Sequence, residues 1–174
     1  MASLLCLVAA GGLFPQFSSH AADEPLEYRL KAVFLLDFTK FIEWPPGSLG
    51  APDAPFNICV LGNNPFGDEL DQIVNGEVVY GRKILVQRIG REPAPGSCQI
   101  LFVGSADDGA GNLTEPGRGV LTVGEGVEFV HRGGMIAFVV ENRRVRFEID
   151  QAVAERAGLK LSSKLLAVAK SVRR

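Results

Sequence analysis

The chain has 174 residues, 47% of them hydrophobic and 22% charged, with 18 basic and 20 acidic side chains and a net charge of −2. That length supports one domain with a sizeable core and is short for two. The balance argues against a disordered or membrane-embedded chain, and the interspersed charges leave no basic footprint for nucleic acid.

The first 22 residues differ from the rest. Leu4 to Phe14 is an uncharged apolar run of 11 residues, well under the roughly 20 that cross a bilayer. Ser19 and Ala21 supply the small residues that signal peptidase requires, which makes residues 1–21 a signal peptide cut after Ala21 or after Ala22. No Lys or Arg separates Met1 from the apolar run, and Leu5 before Cys6 does not suit a lipoprotein site. Gly11-Gly12 and Pro15 disfavour the alternative of a buried N-terminal helix. The expected product is one domain over residues 23–174, outside the cytoplasm. Two cysteines then remain, Cys59 and Cys98. An even pair in an oxidising compartment reads as a bridge, worth on the order of 4 kcal/mol by the chain-entropy model. The alternative is two free buried thiols.

Apolar positions Leu30, Val33, Phe34, Phe38, Phe41 and Ile42 recur at helical spacing from Leu26, with Lys31, Asp37, Lys40 and Glu43 on other faces. Pro45-Pro46 ends that helix just after Trp44. Strands follow at Phe56–Leu61, Lys83–Ile89, Cys98–Val103 and Val120–Val123, with a short helix carrying Leu70, Ile73 and Val74 after the first. Apolar strands separated by crossovers predict a mostly parallel sheet covered by helices on both faces. Met135–Glu141 and Arg143–Ile149, flanking a turn at Asn142, predict a C-terminal antiparallel hairpin whose second arm is an edge strand. Asp150 caps a helix that Gly158 ends, and Ser162 or Ser163 caps a last helix running through Val172. The fold class is therefore α/β, closed by the hairpin and helices.

Chemistry is sparse along this chain. With His20 removed, His131 is the sole histidine, so neither a His-rich metal site nor a cofactor is expected. No nucleophile elbow accompanies His131, and no complete phosphate-binding glycine motif is present. Gly62–Gly67, Gly104–Asp108 and Gly124–Gly126 line the carboxyl edge of the predicted sheet, where a ligand crevice would lie. The plainer reading is tight turns with a solvated Asp107-Asp108 cap. A hydrolase built on Asp107, Asp108 and His131 is the remaining enzymatic alternative. Phe34, Phe38, Phe41 and Trp44 read as core first and interface second, with Trp44 the most exposed. Gly133-Gly134-Met135 is either a flexible apolar contact or a turn into a strand.

These segments resemble the YfiR family (DUF4154). The resemblance is carried by Lys31-Ala32-Val33-Phe34 leading to Trp44-Pro45, by Ile58-Cys59-Val60-Leu61-Gly62 with Pro65-Phe66-Gly67, and by Cys98-Gln99-Ile100-Leu101-Phe102. It is densest from Gly133-Gly134-Met135 through Arg143-Arg144-Val145-Arg146-Phe147 to Ala157–Leu166, and it runs in order from Leu26 to Val172. It implies a non-enzymatic periplasmic α/β domain with Cys59 and Cys98 bridged. It also implies a partner, an inner-membrane diguanylate cyclase (YfiN-like) whose periplasmic sensor part is held inactive. An outer-membrane OmpA-like lipoprotein (YfiB-like) would relieve that repression, and a homodimer is an open expectation. Two departures stand out: Gln99 replaces the histidine usual after the second cysteine, and a second disulfide of some relatives is absent. The residues expected to bind a partner or ligand are Trp44, Gly133, Gly134, Met135, Arg143, Arg146, Ser162, Ser163 and Lys164. The competing expectation is a periplasmic small-ligand sensor coupled to a histidine kinase or an outer-membrane transporter.

Overall fold

The computed structural model describes residues 24–90, 96–104 and 117–174. The signal peptide and the Asp107-Asp108 cap lie outside the described residues.

Helix α1, Glu24–Phe41, opens the described chain. Its buried side differs from the predicted stripe: Ala32, Leu35, Leu36, Phe38 and Thr39 face inward, while Leu30, Val33 and Phe41 are exposed. Small Ala32 and Thr39 let the helix sit close to the sheet. Phe38 then stacks on Phe138 and meets Phe147 edge-on, with ring centroids 6.0 and 5.3 Å away. The helix stops at Phe41 rather than at the prolines, because Ile42–Glu43 becomes strand β1.

The parallel body is β2 (Phe56–Leu61), β4 (Arg82–Ile89), β5 (Ile100–Val103), β6 (Leu121–Glu125) and β7 (Ile136–Glu141). Helix α2, Glu69–Val74, crosses from β2 toward β4. A two-residue strand β3, Val78–Val79, precedes β4 and pairs with it antiparallel. Helix α3, Val127–His131, links β6 to β7. Strand β8, Arg144–Asp150, returns antiparallel to β7. The turn between them is Asn142-Arg143, both at positive φ (51° and 61°), as a two-residue hairpin of this twist requires. Asp150 caps α4 (Gln151–Arg156), its side chain accepting from the Val153 amide. Strand β9, Lys160–Leu161, pairs with β1. Helix α5, Ser163–Val168, is capped by Ser162. Strand β10, Ser171–Arg173, then runs parallel to β8.

The eight-stranded sheet has the order β10-β8-β7-β6-β5-β2-β4-β3, with antiparallel pairs only at β7–β8 and β3–β4. Strand residues alternate between two cores. Phe56, Ile58, Val60, Ile100, Phe102, Leu121, Val123, Phe138 and Phe147 meet α1, α2, α4 and α5 on one face. Cys59, Leu61, Cys98, Leu101, Val103 and Ala137 meet α3 through Phe129 and Val130 on the other.

Two C-terminal expectations are corrected. The last helix ends at Val168, and Val172 belongs to β10. Strand β8 is therefore not an edge. The Lys170 amide donates to the Phe147 carbonyl at 2.8 Å and carries the tail onto the ladder, where hydrogen bonding to β8 replaces another helical turn.

Candidate functional site

The carboxyl end of the sheet is where an α/β fold usually offers a crevice. Between β2 and β5 it is closed. A Cβ on Gly104 would come within 2.2 Å of the Asn63 carbonyl oxygen, so the Gly62–Gly67 and Gly104 turns pack on each other.

Open space lies beside β6 and β7. A groove of about 470 Å³ is lined by Glu27, Tyr28 and Lys31 of α1, Glu125 to Val127, Phe138 to Glu141, and Lys170. Lys31, placed on an outer face by its periodicity, is 3% exposed. Its ammonium is held by both Glu27 and Glu125 and lies 4.2 Å from the Tyr28 ring centroid. The Tyr28 hydroxyl donates to the other Glu125 oxygen at 3.4 Å. On the far rim Lys170 approaches Glu148 at 3.3 Å and Glu141 at 3.7 Å. The buried ammonium is thus engaged by two carboxylates, and the cluster clamps the start of α1 to the end of β6. It offers a charged rim over an apolar floor of Phe138, Val139 and Val140, a surface suited to binding. Sequence reasoning missed this group. Glu27 and Lys31 carry the helical spacing of an ion pair, but nothing local announces a partner 94 residues away.

The residues expected to bind a partner do not converge. Trp44 is half-buried, its indole donating to the Gln99 carbonyl at 3.3 Å and meeting Phe56 edge-on at 5.0 Å. Gly133-Gly134-Met135 forms the turn from α3 into β7, and Met135 is wholly buried. Arg143 sits at the other end of β7, in the hairpin turn, and Arg146 is exposed on β8. Ser162 is spent on its cap, while Ser163 and Lys164 are exposed on the first turn of α5. Gln99 is buried and structural: its amide donates to the Ser48 carbonyl at 3.0 Å and accepts from the Asn57 amide at 2.7 Å. His131 is exposed beside Glu128. Among the described residues, no three His, Cys, Asp or Glu side chains come together as a metal site.

Cys59 of β2 and Cys98, just before β5, are bridged across neighbouring strands with Cα atoms 5.9 Å apart. Both are buried on the α3 face of the sheet.

A family model described as YfiR/HmsC-like matches residues 28–170. The chain belongs to the YfiR/HmsC-like family. The matched span of this YfiR/HmsC-like chain runs from Tyr28 on the groove wall to Lys170 on its rim, so it contains both cysteines and nearly all of the groove. Among solved structures, a conserved domain protein from Vibrio cholerae O1 biovar El Tor str. N16961 superposes with a TM-score of 0.51 at 11% identity. The superposition covers 84% of this chain and 60% of that one, a likeness of fold alone. No curated protein matches the sequence. Among the described residues no helix is long and apolar enough to cross a membrane.

Proposed function

We propose that this chain is a periplasmic regulator that binds the sensor part of an inner-membrane diguanylate cyclase and lowers cyclic-di-GMP output and biofilm formation. The observation that carries the reading is membership of the YfiR/HmsC-like family over residues 28–170, a family of regulators rather than catalysts. The Cys59–Cys98 bridge supports an oxidising compartment, and the apolar run at Leu4–Phe14 supplies a means of export. Inhibition follows if the chain binds the inactive sensor more tightly than the active one. The proposed contact is the hairpin end of the sheet, where Arg143 and Arg146 are exposed. An OmpA-like lipoprotein of the outer membrane would relieve repression by competing for the chain.

Deleting the gene raises intracellular cyclic-di-GMP on this reading, and complementation with Arg146→Glu fails to restore it although the variant melts like the parent. Unchanged cyclic-di-GMP in a strain with a functional neighbouring cyclase would overturn it.

The groove beside β6 favours one second reading, a small-ligand sensor. Thermal-shift screening against periplasmic metabolites tests it. A ligand whose stabilising effect disappears in Glu125→Gln supports that reading, and a screen without stabilising compounds removes it.

A further inference from the structure

Strand β4 is longer than its outer neighbour. From Ile84 to Ile89 it pairs with β2 on its inner side, but on its outer side β3 covers only Arg82 and Lys83. The backbone groups of successive residues alternate between the two sides of a strand. The Gly62 amide donates to the Ile89 carbonyl, so Ile89, Gln87 and Leu85 face β2, whereas Ile84, Val86 and Arg88 face outward. The Ile84 amide donates to the Glu77 carbonyl at 3.3 Å, and there the cover ends. Among the described residues no strand pairs with Val86 or Arg88 from the outside, which leaves an open ladder of the kind that another strand completes.

A groove of about 380 Å³ lies beside this edge, between β4 and the end of α2. Val74, Ile84 and Val86 give it an apolar wall, and Val78 and Leu85 at its margins are 58% and 48% exposed. Its charge is one-sided. Glu77 is answered by Lys40 at 3.6 Å and Asp71 by Arg88. Arg82 donates to the carbonyls of Ala51 and Ala54, which carry no charge to offset its own. Lys83 is exposed and has no carboxylate within ion-pair distance among the described residues. Two uncompensated positive charges, Arg82 and Lys83, therefore stand where the open edge begins.

We propose that the outer edge of β4 is a docking site for an extended acidic segment of a partner protein, added antiparallel to β4 in line with β3. An extended polypeptide is the ligand that presents amides and carbonyls in alternation at strand spacing. The side chain opposite Val86 turns to the α2 wall and suits valine or isoleucine. Its neighbours, opposite Leu85 and Gln87, turn to the face that carries Lys83, where a glutamate or aspartate meets the free ammonium. The site goes beyond the regulatory reading above, and it lies toward the other end of the sheet from the hairpin contact.

A fluorescein-labelled hexapeptide of alternating valine and glutamate then binds protein purified after expression of the full chain, with a dissociation constant below about 1 mM. On binding, the Val86 and Arg88 amides gain protection from hydrogen exchange, whereas those of Leu85 and Gln87, already turned to β2, do not change. Methylating the peptide nitrogens on the bonding side weakens binding about tenfold or more. Lys83→Glu, which melts like the parent, weakens the glutamate peptide to a similar degree and binds the matching lysine peptide better than the parent does. Absence of saturable binding overturns the proposal, as does binding indifferent to N-methylation or to Lys83→Glu. Protection of Val86 and Arg88 that grows with the concentration of the chain alone would also overturn it, assigning the edge to a second copy.

Discussion

Lys31 shows how much one side chain can carry. Replacing it with Met leaves Glu27 and Glu125 facing each other without their shared cation. Removing one partner of a buried pair commonly costs 3–5 kcal/mol. Here about 2–3 kcal/mol is expected, because the two carboxylate side chains keep 27% and 21% exposure. Urea unfolding measures it, and Lys31→Met with Glu125→Gln should be less destabilised than the sum of the single variants. Full additivity would mean that the three groups do not act as a unit. Gly134 makes a steric counterpart. A Cβ there would stand 2.2 Å from the Phe129 ring, so Gly134→Ala should cost about 2 kcal/mol as overpacking. In a Phe129→Ala background the same change should be nearly neutral. An equal cost in both backgrounds would place the effect in the backbone instead.

At the scale of elements, α2 is clipped to β4 by Asp71 and Arg88, whose guanidinium also donates to the Gly67 carbonyl at 2.9 Å. The Arg88 side-chain hydrogen bond holds the Asp71 carboxyl below its ordinary value near 3.8, with burial opposing and the Arg88 charge assisting. A lowered folded pKa means that this stabilisation is present above the unfolded value and is lost as pH falls through the folded one. Asp71→Asn should therefore unfold modestly more easily than the parent at pH 7, since both partners are well exposed. The gap should close below about pH 4. A gap that persists at pH 2 in matched melts would show that the contact is not ionic. The apolar strands β2, β5 and β6, the hairpin, and the Asp150 and Ser162 caps could be read from the chain, because each rests on local pattern or local hydrogen bonding. Helix α3 and strands β1, β3 and β9 could not, since a five-residue helix and two-residue strands are too short to display a period. Strand β10 was hidden for another reason: Val172 continues the helical spacing of α5, and only the ladder of β8 draws it into extended form. Lys31 was misplaced because α1 carries large apolar residues on both sides, so periodicity alone did not choose the inward one.

For the whole molecule, the bridge decides how the two halves of the parallel sheet respond to environment. Cys59 and Cys98 are 39 residues apart in sequence, and the loop they close contains α2 and the β3–β4 hairpin. Opening it leaves the ladder between β2 and β5 in place but frees that loop in the unfolded chain, where the entropic effect of a disulfide chiefly acts. Cys59→Ala with Cys98→Ala should therefore lower stability by an amount on the order of 4 kcal/mol or somewhat less while leaving the far-ultraviolet circular dichroism unchanged. Dithiothreitol should move the parent's urea midpoint toward that of the double variant and leave the double variant where it was. The bridge lies buried between the sheet and α3, so its reduction should be slow until urea begins to open the fold. A parent whose midpoint ignores the reductant even after unfolding and refolding in its presence would mean that the bridge contributes nothing. It would also take away the oxidised-compartment support on which the regulatory reading draws.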